Sequence, residues 1–427
     1  MRRGSWLLSV ALAMTPVSIA GAAVIGHMTP AEPITADRIA RAPQDERAAW
    51  SAYLARSQRL MAADRAALAA ERAQGAVASS PPAGPSGSAG MPLDRPAAWY
   101  ASPEARHVAD NIVSFQTPAG GWGKNVDRTG PLRRPGEHYA VIENLPANAR
   151  TDADPDWSYV GTIDNDATTT EIRFLARVQA ALPGADGDPY RAAALKGVRY
   201  LLGAQFPNGG WPQIYPLRGG YHDALTFNDD ALTLVVTTLA TVGAHTGDYA
   251  FVPASLAAEA RAACDRALAV ILRTQVVIDG KRTVWGQQHD AITLAPVGAR
   301  NFEPIALSSS ESADLLMFLM KQPAPSRELI AAVDGGIAWL KAHQIAGQDW
   351  KPDDKGVRSV IANPAAAPIW ARYYDPATGR PIFGDRDRTI HDDVADLSVE
   401  RRNGYAWYGR GPAKALKAYE IWSSRRH

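Results

Sequence analysis

The chain has 427 residues, of which 46% are hydrophobic and 21% charged, with Cys264 as its one cysteine. This composition is typical of a globular protein and excludes both wholesale disorder and a polytopic membrane protein. Lysine and arginine number 45 against 44 acidic residues, so no global field attracts the chain to nucleic acid or to an anionic bilayer. A single cysteine also excludes an intrachain disulfide and any multi-cysteine metal site.

The N-terminus has the pattern of an export signal. Two arginines precede a mostly apolar run over residues 6–14, and small residues follow at 20–23. This pattern predicts a signal peptide over residues 1–23, and therefore a secreted or periplasmic protein without a membrane association after cleavage. A retained membrane anchor is the alternative, but Pro16 and Ser18 interrupt the apolar run and make it a poor span.

Two further segments precede the main domain. Residues 43–73 carry apolar side chains at helical spacing, which predicts one isolated amphipathic helix. Residues 74–91 are rich in proline, glycine and serine, which predicts a flexible linker. We therefore expect the working domain to occupy residues 92–427.

A repeated motif organises this domain. Gln116–Trp122 and Gln205–Trp211 both end in Gly-Gly-Trp, and weaker copies run over Gln275–Trp285 and Gln344–Trp350. Each copy follows an amphipathic helical stretch, and further helical stretches lie between the copies. The predicted helices cover residues 104–115, 168–182, 190–205, 229–245, 257–274, 307–321 and 327–344. This alternation predicts an all-α fold of helical hairpins closed into an α/α toroid, with an irregular helical domain as the alternative.

Carboxylates cluster at two predicted helix starts, within residues 162–168 and 226–231. Aspartate and asparagine are preferred N-cap residues, so capping explains either motif taken alone. One carboxylate is enough for a cap, however, and the surplus oxygens in two equivalent loops suit Ca²⁺, which takes 6–8 oxygen ligands. The spacing is not that of an EF-hand, so a metal site here requires ligands from separate helices.

Arginines alternate with aromatic residues in the C-terminal half. The planar guanidinium binds a carboxylate through two hydrogen bonds and stacks on aromatic rings, so this pattern suits an acidic sugar polymer. Surface salt bridges with neighbouring aspartates are the alternative. The arginines concerned are Arg300, Arg372, Arg386, Arg388, Arg401 and Arg402.

Other catalytic patterns are missing from the sequence. It contains no G-x-S-x-G, H-E-x-x-H or G-x-x-x-x-G-K-[ST] motif. The serines of Ser308–Ser312 lie at a helix start, where capping accounts for them. His289 is either a general base or a packed hydrogen-bonding residue, and the second interpretation is favoured.

From about residue 97 to its end, the chain resembles the pectate lyases of polysaccharide lyase family 10. The resemblance rests on segments that follow one another in the family's order. They are residues 120–125 (GGWGKN), 162–174 (TIDNDATTTEIRF), 204–216, 221–231 (YHDALTFNDDA), 285–290, 299–312, 370–387 and 401–408. The resemblance implies a toroid of three helical hairpins with additional short strands and loops. It also implies Ca²⁺ as cofactor and polygalacturonate as substrate. We expect a monomer.

The resemblance also implies a mechanism, anti β-elimination, in which a base removes the C5 proton and the C4–O bond breaks. Arginine is an unusual base because its pKa lies above about 12. The implied roles are Arg300 as base, Asp164 and Asp229 as calcium ligands, and Arg372, Arg386, Asn228 and Lys124 as substrate-binding residues.

The chain departs from the family's usual pattern at residues 285–290, 301–306 and 384–388. These departures change the loops that line subsites, so the preferred substrate length and methylation are left open. Two other functions are considered. A glycoside hydrolase could use Asp164 and Asp229 as its carboxylate pair. A non-catalytic pectin-binding protein would need no base.

Overall fold

The computed structural model describes residues 23–84, 90–142, 157, 159–182 and 184–426. The predicted signal peptide therefore lies almost wholly outside the described residues. The helices are α1 (Ala36–Arg41), α2 (Arg47–Ala73), α3 (Pro103–Ser114), α4 (Thr169–Ala181), α5 (Asp188–Ala204), α6 (Ala231–Ala244), α7 (Ala254–Thr274), α8 (Ser309–Met320), α9 (Arg327–Ala342), α10 (Val399–Asn403) and α11 (Gly411–Ser424).

The strands are short, and most contain two residues. They are β1 (Val24–His27), β2 (Leu225–Thr226), β3 (Val277–Ile278), β4 (Lys281–Arg282), β5 (Gln288–His289), β6 (Pro296–Val297), β7 (Leu307–Ser308), β8 (Gln348–Pro352), β9 (Arg358–Ala362), β10 (Trp370–Ala371), β11 (Tyr373–Tyr374), β12 (Phe383–Gly384), β13 (Thr389–His391) and β14 (Tyr408–Gly409). They form small sheets in the orders β1-β13-β12, β2-β5-β6, β3-β4, β7-β11, β8-β9 and β10-β14.

The helices predicted from the amphipathic pattern are confirmed, because α3 to α9 lie within a few residues of the expected positions. Helix α4 packs against α5, α6 against α7, and α8 against both α9 and α11. Contacts between α5 and α7 and between α7 and α9 join neighbouring pairs, and α4 also contacts α6. The apolar faces of these helices meet in one large core.

The tryptophan that follows each repeat helix performs the same structural task, whether or not Gly-Gly precedes it. A tryptophan after each of α3, α5, α7 and α9 donates its indole N–H to a carbonyl of the helix before it, at 2.7–2.8 Å. The pairs are Trp122–Ile112, Trp211–Leu201, Trp285–Ile271 and Trp370–Leu340. All of these indoles are buried, so the tryptophans are anchors of the fold.

The glutamine of each motif joins two repeats. Gln205 donates to Gly209 O within its own loop and to Ala263 O of α7, both at 2.9 Å. The equivalent bonds run from Gln116 to Ala193 of α5 and from Gln275 to Ala332 of α9. Gly120 and Gly209 have φ of 111° and 102°, a region that favours glycine.

The weak fourth copy was predicted with the wrong tryptophan. Trp350 lies in β8, and its indole nitrogen is buried without a hydrogen-bond partner among the described residues. Trp370 takes the anchoring position after α9, because a hairpin of β8 and β9 is inserted between the helix and its tryptophan. The longer spacing hides the repeat in the sequence.

Helix α2 is not isolated, contrary to the prediction for residues 43–73. Trp50 and Tyr53 pack on Phe206, with ring centroids 5.4 and 5.3 Å apart, and the Tyr53 hydroxyl donates to Ala204 O at 3.0 Å. Its apolar stripe therefore joins the common core, and the domain does not begin at residue 92. Among the described residues, no helix combines the length and apolarity needed to cross a bilayer.

The described part of the predicted linker is also fixed to the domain. Gly84 N donates to Asn125 O at 2.8 Å, and Ser79 O accepts from His138 N at 2.9 Å. A Cβ on Gly84 would lie 2.9 Å from Asp127 Cα, so this close approach requires glycine. The glycine and proline content thus allows an extended chain to pair with a neighbouring loop.

Candidate functional site

One cleft of about 790 Å³ collects residues from loops that follow or precede the core helices. Its lining includes the predicted site residues Lys124, Asp164, Asn228, Asp229 and Arg300. These residues span more than 170 positions of the sequence, yet the helical repeats bring their loops to one cleft. The structure therefore places both aspartate loops and the Arg300 guanidinium in a common site.

The repeat itself supplies part of this lining. Lys124, Gln213 and Gln287 each lie two residues after an anchoring tryptophan, and all three line the cleft. Arg372 occupies the corresponding position after Trp370 and contacts Asn228 and Gln287, with N–O distances of 3.3 and 3.5 Å. Anchoring each indole fixes the backbone that follows, so equivalent positions reach the same site. The sequence interpretation missed Gln213 and Gln287, which this spacing could have identified.

The two aspartate loops have an unusual backbone. Asn165 and Asp166 have φ of 52° and 63°, and Asp229 and Asp230 have φ of 49° and 57°. Asparagine and aspartate tolerate this left-handed region better than other non-glycine residues. The N-cap residues of α4 and α6, Thr168 and Asp230, make no side-chain capping bond. Capping therefore does not explain these carboxylates.

Asp164 is a buried carboxylate with several donors. Lys124 Nζ lies 2.9 Å from both of its oxygens, Thr162 Oγ1 donates to Oδ1 at 2.6 Å, and Gln213 Nε2 donates to Oδ2 at 2.7 Å. Burial alone would raise the pKa of Asp164, but the Lys124 charge and these hydrogen bonds lower it below its usual value. Asp164 is therefore ionised at neutral pH.

Asp229 lines the same cleft, but fewer hydrogen-bond donors stabilise its negative charge. Asn228 Nδ2 donates to its Oδ2 at 2.8 Å. Desolvation by the surrounding protein and the negative charge of Asp164 raise the pKa of Asp229. The two carboxylates repel each other across a polar cleft that Asn165 and Gln213 also line. Carboxylate and amide oxygens are the ligands that Ca²⁺ takes, although the described residues contain no group of three or more acidic, histidine or cysteine side chains that could hold a metal ion.

Arg300 is held in an ion pair with Glu303. Nη2 and Nε donate to the two carboxylate oxygens at 2.6 and 3.0 Å, and the guanidinium lies 4.7 Å from the Phe302 ring centroid and 5.7 Å from that of Tyr405. Burial would lower the pKa of Arg300, but the charge and hydrogen bond of Glu303 raise it. The same pairing lowers the pKa of the buried Glu303 to about 2.

The other two predicted arginines are not on the cleft lining themselves, and they differ in position. Arg372 lies directly behind the lining, where it contacts Asn228 and Gln287, pairs with Glu311 and lies 4.8 Å from the Tyr405 ring centroid. Arg386 does not line the cleft. It is 39% exposed and makes two hydrogen bonds of 3.0 and 3.1 Å to Glu400. It remains near Arg300, because Asn301 Nδ2 donates to Arg386 O at 2.7 Å.

His289 and Ser308, which were considered as catalytic residues in the sequence, both make hydrogen bonds within the protein. His289 is buried, accepts from Gly286 N at 2.9 Å and pairs with Leu294 O at 2.8 Å. Burial lowers its pKa to about 4, which agrees with a packed, neutral histidine. The Ser308 hydroxyl donates to the side chain of Glu311 at the start of α8 and makes no capping bond to the backbone, so the cap predicted for this position is not formed by Ser308.

Comparisons with known proteins identify the family of the chain. The profile of the family described as pectic acid lyase matches residues 116–416. A family 10 polysaccharide lyase from Cellvibrio cellulosa is 30% identical, with 78% of this chain and 97% of that chain covered and a TM-score of 0.64. A mutant of that lyase in complex with trigalacturonic acid gives the same identity and coverage and a TM-score of 0.63. A search of curated proteins found no significant match. The resemblance is thus confirmed, and the chain belongs to the pectic acid lyases of polysaccharide lyase family 10.

Proposed function

We propose that this chain is a calcium-dependent lyase that cleaves polygalacturonate, the pectin backbone, by anti β-elimination. The observation that carries the proposal is the common cleft of Asp164, Asp229 and Arg300. A related lyase is known in complex with trigalacturonic acid, an oligomer of the same acidic sugar. The cleft combines carboxylates for a cation with guanidinium groups for uronates.

Calcium would be held by Asp164 and Asp229. Bound there, it would bridge the enzyme to a substrate carboxylate, neutralise that carboxylate and make the C5–H bond more acidic. The raised pKa of Asp229 supports this assignment, because a cation would relieve its repulsion by Asp164. The Lys124 ammonium already balances the negative charge of Asp164, so the Asp164 carboxylate would be shared between Lys124 and the calcium ion.

Arg300 is proposed as the base. A neutral Arg300 nitrogen would take the C5 proton, the C4–O bond would break, and a C4–C5 double bond would form while the leaving oxygen takes up a proton from solvent. Glu303 opposes this role, because it raises the pKa of Arg300. Catalysis therefore requires that the substrate complex weaken the Arg300–Glu303 pair, and an alkaline medium favours it.

The remaining predicted residues would bind substrate. Arg372 lies beside Asn228 at the cleft, and its Nε is buried without a partner among the described residues, so a uronate carboxylate would give it one. Lys124 and Asn228 line the cleft on the side of the aspartates. Arg386 lies outside the lining, and binding there requires the polymer to extend past Arg300.

The fold is proposed to be an α/α toroid of three hairpins, α4–α5, α6–α7 and α8–α9. The contacts between successive pairs and the glutamine bonds from one repeat to the next support an array of equivalent hairpins, and closure of this array into a ring is part of the proposal. The enzyme is proposed to be secreted or periplasmic, on the basis of the export pattern in residues 1–23, and it is also proposed to act as a monomer.

Incubation with polygalacturonate tests the proposal. A lyase increases ultraviolet absorbance through the conjugated double bond of its product, and a chelator stops a calcium-dependent one. A glycoside hydrolase would release reducing ends without this absorbance, and a binding protein would produce neither signal. Absorbance that persists in excess chelator would reject calcium dependence while retaining the elimination.

A further inference from the structure

A second groove continues from the site cleft. It occupies about 770 Å³, and Arg300 and Tyr221 line both spaces. Residues 28–31 form one wall of this groove, and Asn301 and Arg388 lie on its lining as well. A polymer that leaves the site past Arg300 therefore meets this groove next.

The wall comes from a segment that lies outside the family match, which begins at residue 116. Strand β1 pairs with β13, and Met28 N donates to Arg388 O at 2.9 Å. Farther along, Ile34 N donates to Asp223 Oδ2 at 3.1 Å, and Arg38 forms an ion pair with Asp290. These contacts fix the segment against the domain on both sides of the groove.

The same contacts position Tyr221. Asp223, which accepts from Ile34 N, belongs with Tyr221 to the single 3₁₀ turn Gly220–Asp223. The Tyr221 ring contacts that of His222, with centroids 4.0 Å apart and the ring planes tilted by 33°. An aromatic ring fixed at the boundary between the two spaces offers an apolar face and a polar edge, which suits a sugar ring.

Arg388 adds a second arginine to the lining of the groove, beside Arg300. Its side chain is exposed and makes no hydrogen bond or ion pair with the residues that the structure describes, whereas the neighbouring Arg386 is paired with Glu400. Its φ is 72°, a left-handed value that is unfavourable for a residue with a long side chain. Such backbone strain is typical of functional positions.

We propose that this groove is an additional subsite in which Arg388 binds the carboxylate of a further galacturonate unit of the same polymer, with residues 28–31 as its wall. The proposal rests on the proposed function for the identity of the sugar. A guanidinium without a protein partner fits a uronate carboxylate, which accepts two hydrogen bonds from one arginine. The N-terminal segment thus extends the binding surface beyond the family domain.

The test compares cleavage and binding of galacturonate oligomers of increasing length by the full-length protein and by Arg388→Gly. Glycine tolerates the left-handed backbone, so this change removes the guanidinium and relieves the strain. We expect kcat/KM to fall about tenfold, through KM, for oligomers that reach the groove, with little change for shorter ones. Arg425→Ala, which removes an exposed arginine after α11, is the matched charge control and should have no length-dependent effect.

Ala31→Trp provides a second variant, because it fills the groove while Arg388 remains. It should produce the same length-dependent loss. The subsite would be rejected if Arg388→Gly lowered kcat/KM equally for oligomers of all lengths, or did not lower it for any of them. If the unaltered protein fails to cleave polygalacturonate, the proposed function fails, and calorimetric binding of the same oligomers to both variants still decides the subsite. Length-independent binding would then reject it.

Discussion

The Glu303 carboxylate accepts three N–H groups of Arg300, at 2.6 Å from Nη2 and 3.0 Å from both Nε and the backbone N. The carboxylate is also fixed from the other side by the Tyr405 hydroxyl, at 2.7 Å. This arrangement orients the guanidinium and at the same time raises its pKa. Orientation and protonation state are thus linked through one residue.

Glu303→Gln separates these two effects. The amide is close in shape but removes the negative charge that raises the pKa of Arg300, so the neutral base becomes available at lower pH. We expect the rise of kcat with pH to move toward acidic pH by about one unit or more. The measurement is a pH profile of elimination at saturating calcium. An unchanged profile, with altered KM alone, would leave Glu303 a positioning residue.

Arg300→Ala should lower kcat by about 10³-fold or more, the range expected for loss of a general base. Binding of trigalacturonic acid should change little, because Lys124 remains on the cleft lining and Arg372 remains beside Asn228. Absorbance assays of elimination measure kcat, and titration calorimetry measures the affinity for trigalacturonic acid. Arg386→Ala is the contrasting variant, with a raised KM and a nearly unchanged kcat. Near-normal turnover in Arg300→Ala would remove Arg300 from its assigned role.

Asp229→Asn tests the calcium assignment. Asparagine tolerates the left-handed φ of 49° at this position, so the change removes charge without adding backbone strain. We expect calcium affinity to fall at least about tenfold, since affinity depends on the number of charged ligands. Titration calorimetry with calcium alone measures it without substrate.

Asp230→Asn is the matched control for this test. The residue is the next one along, also has positive φ, and does not line the cleft. Its calcium affinity should stay within about twofold of the unaltered protein. Equal losses in both variants would show a general electrostatic effect and would reject Asp229 as a ligand.

The sequence predicted the repeated helices because their signals are local. An amphipathic period and a Gly-Gly-Trp loop depend on residues within one turn or one hairpin, and α3 to α9 agree with them. The same repeat contained an unused signal for Gln213 and Gln287, two positions after their tryptophans. Trp370 was missed because the β8–β9 insertion lengthens the last copy.

Long-range contacts could not be predicted in this way. The Tyr405 hydroxyl reaches Glu303 across a separation of 102 residues, and no local pattern indicates that pair. The apolar stripe of Trp50 and Tyr53 is the same whether its partner is this domain or another protein. A Pro/Gly/Ser-rich composition likewise fits either a free linker or a segment held along a loop.

Asp64 gives a stability prediction for the docking of α2. Its carboxylate is 1% exposed and accepts from Ala119 N at 2.7 Å, while its other oxygen has no partner among the described residues. Burial raises its pKa from 3.8 to about 7. Because the unfolded chain releases this proton at lower pH than the folded protein, stability from this group is complete below pH 3.8 and is lost as pH rises to about 7.

Asp64→Asn resembles the protonated acid and keeps the oxygen that accepts from Ala119. It should therefore remove this pH dependence and stabilise the protein at pH 8 by about 4 kcal/mol, since one pKa unit corresponds to about 1.4 kcal/mol. Denaturant unfolding at pH 4 and pH 8 measures both values. Asp45→Asn, at an exposed aspartate, is the control. Destabilisation of Asp64→Asn at pH 8 would mean that the ionised carboxylate contributes favourably, so that α2 would dock through the charge of Asp64 instead of in spite of it.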